Sequence, residues 1–77
     1  MNASEAARLQ KYLRDKFGGA PFDVRLRPNK DDSAEVYMGD EFIGVLFRDD
    51  EDGEVSYDFN MAILDEDLPS PSEARGD

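Results

Sequence analysis

The groups able to do chemistry in this chain are almost all carboxylates. Nineteen Asp and Glu stand against nine Lys and Arg in 77 residues, with no histidine and no cysteine. Thiolate zinc sites, disulfides and cysteine nucleophiles are therefore absent, as are the commonest metal ligand and general base. Any metal would need an all-oxygen site. The densest cluster, Asp49, Asp50, Glu51 and Asp52 before Gly53, first suggests calcium. Placing Gly53 at the sixth position of a calcium loop puts Arg48 at the first ligand position and Phe59 at the twelfth, where acidic ligands are required. The cluster reads instead as a solvated hairpin loop and a candidate acidic contact surface.

A second cluster, Asp65, Glu66 and Asp67, follows the last apolar stretch. The two together could imitate a phosphate backbone; the plainer reading is charge that guards an apolar strand against aggregation. Carboxylate pairs suited to acid–base work are abundant, yet no nucleophile elbow and no phosphate-binding glycine loop accompanies them. So short a chain also has little volume for a deep pocket. These absences point to a non-catalytic protein without a cofactor.

The charge is uneven. Residues 1–30 carry seven basic against three acidic side chains, or +4, and residues 31–77 two against sixteen, or −14. The net −10 disfavours nonspecific binding to nucleic acid or anionic membrane. Arg25, Arg27 and Lys30 could form a basic–aromatic RNA platform with Tyr37 and Phe42. Cross-strand ion pairs of Arg25 or Arg27 with Glu35 are the simpler expectation.

The elements that position these groups follow from apolar spacing. Residues 2–17 read as an amphipathic helix with Asn2 as cap and Glu5 as its capping-box partner, or Ser4 as the alternative cap, and with Ala6, Leu9, Leu13 and Phe17 on one stripe. Gly18 and Gly19 end it. Phe22–Arg27 alternates as a half-buried strand stopped by Pro28. Ala34, Val36 and Met38 share one face of the next strand, and Gly39–Asp40 suits a two-residue hairpin turn. That turn places Tyr37 opposite Phe42, Val36 opposite Ile43, and Ala34 opposite Val45.

Glu41–Arg48 is apolar on both faces, with Ile43, Val45 and Phe47 expected toward the helix. Val55–Leu64 then alternates strictly, with Phe47 expected opposite Val55, Val45 opposite Tyr57 and Ile43 opposite Phe59. The outcome is an α+β fold: one helix on one face of a four-stranded antiparallel meander, a single domain over residues 1–68. Residues 69–77 read as a disordered polar tail. On this arrangement Tyr37, Phe42, Gly44 and Leu46 lie on the face away from the helix. They form a candidate partner-contact surface, for another protein or for a second copy in a homodimer.

The stretch from Lys30 to Leu68, KDDSAEVYMGDEFIGVLFRDDEDGEVSYDFNMAILDEDL, resembles a family of small alphaproteobacterial proteins of unknown function. That family shares a block of the form DSAEVYxGDEFIGVL…SYxFxMAILDxDL after a short helix. The resemblance implies a bacterial, cytoplasmic, single-domain protein and carries no activity with it. No apolar run is long enough to span a bilayer, and the N-terminus lacks a signal-peptide core.

Overall fold

The computed structural model describes residues 1–76. Helix α1 (Ala3–Lys16) precedes strands β1 (Phe22–Leu26), β2 (Ser33–Met38), β3 (Glu41–Asp49) and β4 (Ser56–Asn60). A 3-10 turn at Asp65–Asp67 and a single helical turn, α2 (Pro71–Ala74), follow. The strands form one antiparallel sheet in the order β1-β2-β3-β4, the expected meander. No helix among the described residues is long and apolar enough to cross a membrane.

The N-terminus of α1 is fixed by its own sequence. Asn2 Oδ1 accepts the Glu5 N–H at 2.8 Å, and Glu5 Oε1 accepts the Asn2 N–H at 3.1 Å, which satisfies two of the helix's open donors. Ala6 and Leu13 are buried, Leu9 is half-buried, and Phe17 ends the stripe exposed, its ring 5.3 Å from that of Phe22. With Phe22, Val24, Ala34, Val36 and Leu46, the two buried helix residues make up the core.

The helix packs chiefly along β1 and also closes that strand's free edge. Gln10 Oε1 accepts the Val24 N–H at 3.0 Å, and Arg14 Nε donates to the Phe22 carbonyl at 2.7 Å. Backbone groups that would otherwise be open to another strand are thereby occupied.

The β2–β3 hairpin begins in the expected register and then leaves it. Gly39 has φ +62°, a conformation that glycine adopts without steric cost, and Tyr37 pairs with Phe42. Between Val36 and Tyr37 the register shifts, so Val36 pairs with Gly44 rather than Ile43, and Ala34 with Leu46 rather than Val45. Ile43 is the extra residue of a β-bulge.

Beyond the bulge, β3 is turned over relative to the simple alternation. Gly44 and Leu46 face α1, while Val45 and Phe47 face away, with Leu46 only 2% exposed and Phe47 39%. The β3–β4 register moves with it: Leu46 pairs with Phe59 and Arg48 with Tyr57, in place of the expected Val45–Tyr57 and Ile43–Phe59 pairs.

The physical reason lies at Gly44. A Cβ there would stand 2.7 Å from Phe59 Cε1 and closer still to the Asn60 carbonyl oxygen. Only a residue without a side chain lets the Phe59 ring lie over β3 and reach Phe22, 6.5 Å away in an edge-on contact.

β4 also stops earlier than its alternation suggests. Pairing ends at Asn60, and Met61, Ile63 and Leu64 are 51, 68 and 54% exposed. The polar segment after Leu68 holds a capping box of its own, Ser70 with Glu73, around α2, and none of its described residues is buried. Residue 77 of that segment lies outside the described residues.

Gly44→Ala is expected to destabilise the fold by about 1–3 kcal/mol, the range for an overpacked interior. Urea denaturation followed by circular dichroism measures this directly, and an unchanged midpoint would contradict the close approach described here.

Candidate functional site

The turned strand redistributes the residues singled out by sequence. Tyr37 and Phe42 lie on the sheet face away from α1, as expected, with ring centroids 5.6 Å apart in an edge-on pair. Gly44 and Leu46 do not join them: both are buried on the helix side, because the bulge at Ile43 inverts β3. Their places on the outer face are taken by Val45 and Phe47.

Arg25 stacks on this outer surface. Its guanidinium carbon stands 3.8 Å from the Tyr37 ring centroid, and its Nε donates to Asp23 Oδ2 at 2.9 Å. That hydrogen bond, against partial desolvation, holds the Arg25 pKa above its ordinary value. The expected pairing with Glu35 is replaced: Glu35 accepts the Tyr37 hydroxyl at 3.3 Å, and Arg27 donates to the buried Ser33 hydroxyl at 3.2 Å. Two of the three basic groups of the possible RNA platform thus have partners within the sheet.

The end of the outer face near the β2–β3 turn is an open groove of about 840 Å³ between Phe42, Ile43 and Val45 on one side and Met61, Ile63 and Leu64 on the other. Glu41 and Asp67 stand at its margin. The acidic loop lies elsewhere. Asp50 is paired to Arg48 at 3.0 Å, Asp49 accepts the Glu51 N–H at 3.0 Å, and Glu51 and Asp52 are exposed. It sits at the opposite end of the nine-residue β3 from Glu41, roughly 25 Å away at ~3.3 Å per residue. The two acidic clusters therefore flank the sheet at opposite ends. Among the described residues no group of three or more acidic side chains is arranged to hold a metal ion.

On the helix side, a cleft of about 450 Å³ opens between α1 and β4, walled by Leu9, Leu13, Leu46 and Phe59. At its rim stands a cluster that the residue pattern did not reveal. Tyr57 donates its hydroxyl to Glu5 Oε2 at 2.5 Å, and Arg48 Nε lies 3.0 Å from the same oxygen. The Arg48 N–H is not aimed at that oxygen, so the contact is ionic rather than a directed hydrogen bond. Glu5 thus caps its helix with one oxygen and binds β3 and β4 with the other.

The Tyr57 hydrogen bond, and after it the Asn2 N–H, draw the Glu5 carboxyl below the usual carboxylate range. The same hydrogen bond and partial burial push Tyr57 up. Partial burial opposes the Arg48 charge, but Glu5, Tyr57 and Asp50 outweigh it and hold the guanidinium above its ordinary value. A carboxylate made less basic and a phenol made less acidic suit a clasp better than proton transfer near neutral pH. The available sequence signal was Arg48 itself, the lone cation between Lys30 and Arg75 amid fifteen carboxylates.

With the helix, the meander and the clasp in view, the chain can be set against known families. Residues 5–67 match the model of a protein family of unknown function, DUF3126. The chain belongs to that family. The matched span runs from the clasp carboxylate Glu5 through the 3-10 turn, so it takes in nearly all of α1 and the whole sheet of this DUF3126 protein. No curated protein and no solved structure gives a significant match.

The clasp carries a definite pH signature. Glu5 has a lowered folded-state pKa, so its contribution is present above the unfolded value near ~4.3 and is lost as pH falls through the folded one. Tyr57 has a raised folded-state pKa, so its contribution is complete below ~10 and is lost as pH rises through the folded value. The Tm difference between wild type and Glu5→Gln should therefore be constant at neutral pH and shrink below about pH 4, and that for Tyr57→Phe should shrink above about pH 10. Thermal melts across pH measure both; a difference independent of pH would remove the clasp from the stability account.

Proposed function

We propose that this protein is a small, non-catalytic protein-binding module that acts through the sheet face opposite α1. The observation that carries this reading is the groove beside Phe42, where Phe42, Met61, Ile63 and Leu64 are each more than half exposed. A domain of 77 residues has little apolar surface to spare, and a contiguous exposed patch of this kind is characteristic of an interaction site. The acidic margin, Glu41 and Asp67, favours a partner segment with apolar side chains flanked by Lys or Arg. The net charge of −10 accelerates encounter with such a partner. The ion-paired Glu5 cluster supports a structural rather than a catalytic use of the helix-side cleft. The bacterial cytoplasm is the setting that the sequence resemblance implies.

The test is affinity capture from source cells, followed by titration of the purified partner. Phe42→Asp and Ile63→Asp together should weaken binding at least tenfold without altering the circular dichroism spectrum, since both side chains are exposed. Undiminished binding by the double variant would overturn this assignment. Leu46→Asp is not a suitable probe, because Leu46 is buried in the core and its replacement unfolds the protein.

A further inference from the structure

Helix α1 meets the sheet unevenly. It packs chiefly along β1, where Gln10 and Arg14 hydrogen-bond to the backbone of Val24 and Phe22. Among the described residues, the hydrogen bonds and ion pairs that tie it to β3 and β4 all come from one side chain, Glu5. Between these attachments lies the cleft of about 450 Å³, walled by Leu9 and Leu13 of α1, Leu46 of β3 and Phe59 of β4. Leu13 and Leu46 are buried and Leu9 and Phe59 half-buried, so its depth is apolar. From Glu5 to Leu13 it follows α1 for roughly 12 Å at ~1.5 Å per residue. The charged groups on it differ in state. Glu5 is committed to Tyr57 and Arg48. Arg8, exposed at the mouth beside Tyr12, has no hydrogen-bond or ion-pair partner among the described residues. Apolar walls with a few polar groups, in a space of this size, are the form of a small-molecule site.

We propose that this cleft binds a single-chain amphiphile, an alkyl carboxylate, with its tail between α1 and β4 and its head on Arg8. The tail follows from the walls, which are apolar over the length of a medium alkyl chain. The walls are also recessed between three elements, so buried Leu13 and Leu46 are open to a thin chain and not to the surface of a folded partner. The sign of the head follows from charge. Arg48 balances Glu5, which leaves Arg8 as the uncommitted charge on the cleft, and residues 1–30 carry +4 against −14 for the rest. A guanidinium presents paired donors that match the two oxygens of a carboxylate. One cation with Glu5 nearby suits a monoanion better than a phosphate dianion. The clasp fixes α1 against β4 at one end, so the walls are in place before the ligand arrives. The cleft lies across the sheet from the Phe42 groove, and the inference does not depend on the partner reading.

Titration of the full chain with decanoate, followed by nuclear magnetic resonance, tests this. Saturable shifts should appear at the backbone amides of Leu9, Leu13, Leu46 and Phe59, with a single decanoate bound per chain. Butyrate, which buries less chain, and decylamine, which carries the opposite charge, should each bind at least about tenfold more weakly. Arg8→Gln, at an exposed position, should weaken decanoate binding about tenfold and leave decanol binding and the thermal melt unchanged. Phe42→Asp with Ile63→Asp should bind decanoate as the wild type does, which separates this cleft from the outer groove. The absence of saturable shifts at sub-millimolar decanoate would overturn the proposal, as would equal affinity for decanoate and decylamine. Shifts confined to Phe42, Met61 and Ile63, or undiminished decanoate binding by Arg8→Gln, would overturn it equally.

Discussion

The arrangement of this sheet depends on a close approach at Gly44. The Phe59 ring and the Asn60 carbonyl occupy the space that a side chain at position 44 would need. That contact requires Gly44 to face the helix side, and a glycine facing the core of an alternating strand requires a bulge to bring it there. Once Ile43 is the extra residue, Leu46 is placed in the core, Arg48 opposite Tyr57, and Phe47 on the outer surface. A choice at one position thus sets the orientation of half of β3 and the register of β4.

The same choice explains which parts of the fold could be read in advance. The helix was legible because its signals are local: a capping box within four residues and a stripe of 3.6-residue period. The hairpin turn was legible because Gly39 and Asp40 specify it, and the register near the turn, Tyr37 with Phe42, held. Val36 with Ile43 did not hold, because a two-residue alternation has no means of counting an inserted residue. The glycine that marked the bulge was visible, but its consequence depended on a ring fifteen positions later. Pairing chosen to match aliphatic with aliphatic side chains therefore sent Leu46 outward, when the structure needs its bulk beside Ala34 and Phe59. Of the four residues expected on the face away from the helix, Tyr37 and Phe42 lie there; Gly44 and Leu46 are buried on the helix side. Alternation carries the strand pattern on to Leu64, whereas the pairing ends at Asn60, whose carbonyl lies against Gly44.

Charge has a different role from the one its abundance suggests. The acidic loop is spent on local contacts, Asp50 with Arg48 and Asp49 with the Glu51 N–H. The decisive carboxylate is Glu5, remote in sequence from both clusters though it shares Arg48 with Asp50, and a composition-based reading assigns it only to helix capping. Its two oxygens serve two purposes at once, and a fold with no disulfide and no metal site among its described residues gains from such economy.

The clasp has a bearing on how the chain reaches its structure. Glu5 and Tyr57 are 52 positions apart, so the contact that fixes α1 against β3 and β4 encloses nearly the whole domain. Closing so long a loop carries a large entropic cost relative to a hairpin, and contacts of that span tend to form late. During synthesis α1 emerges before the sheet, and its partner on β4 follows 52 positions after Glu5. A fourteen-residue helix is marginal alone in water. The helix, made before the sheet, must therefore wait in a loosely held state until β4 is complete.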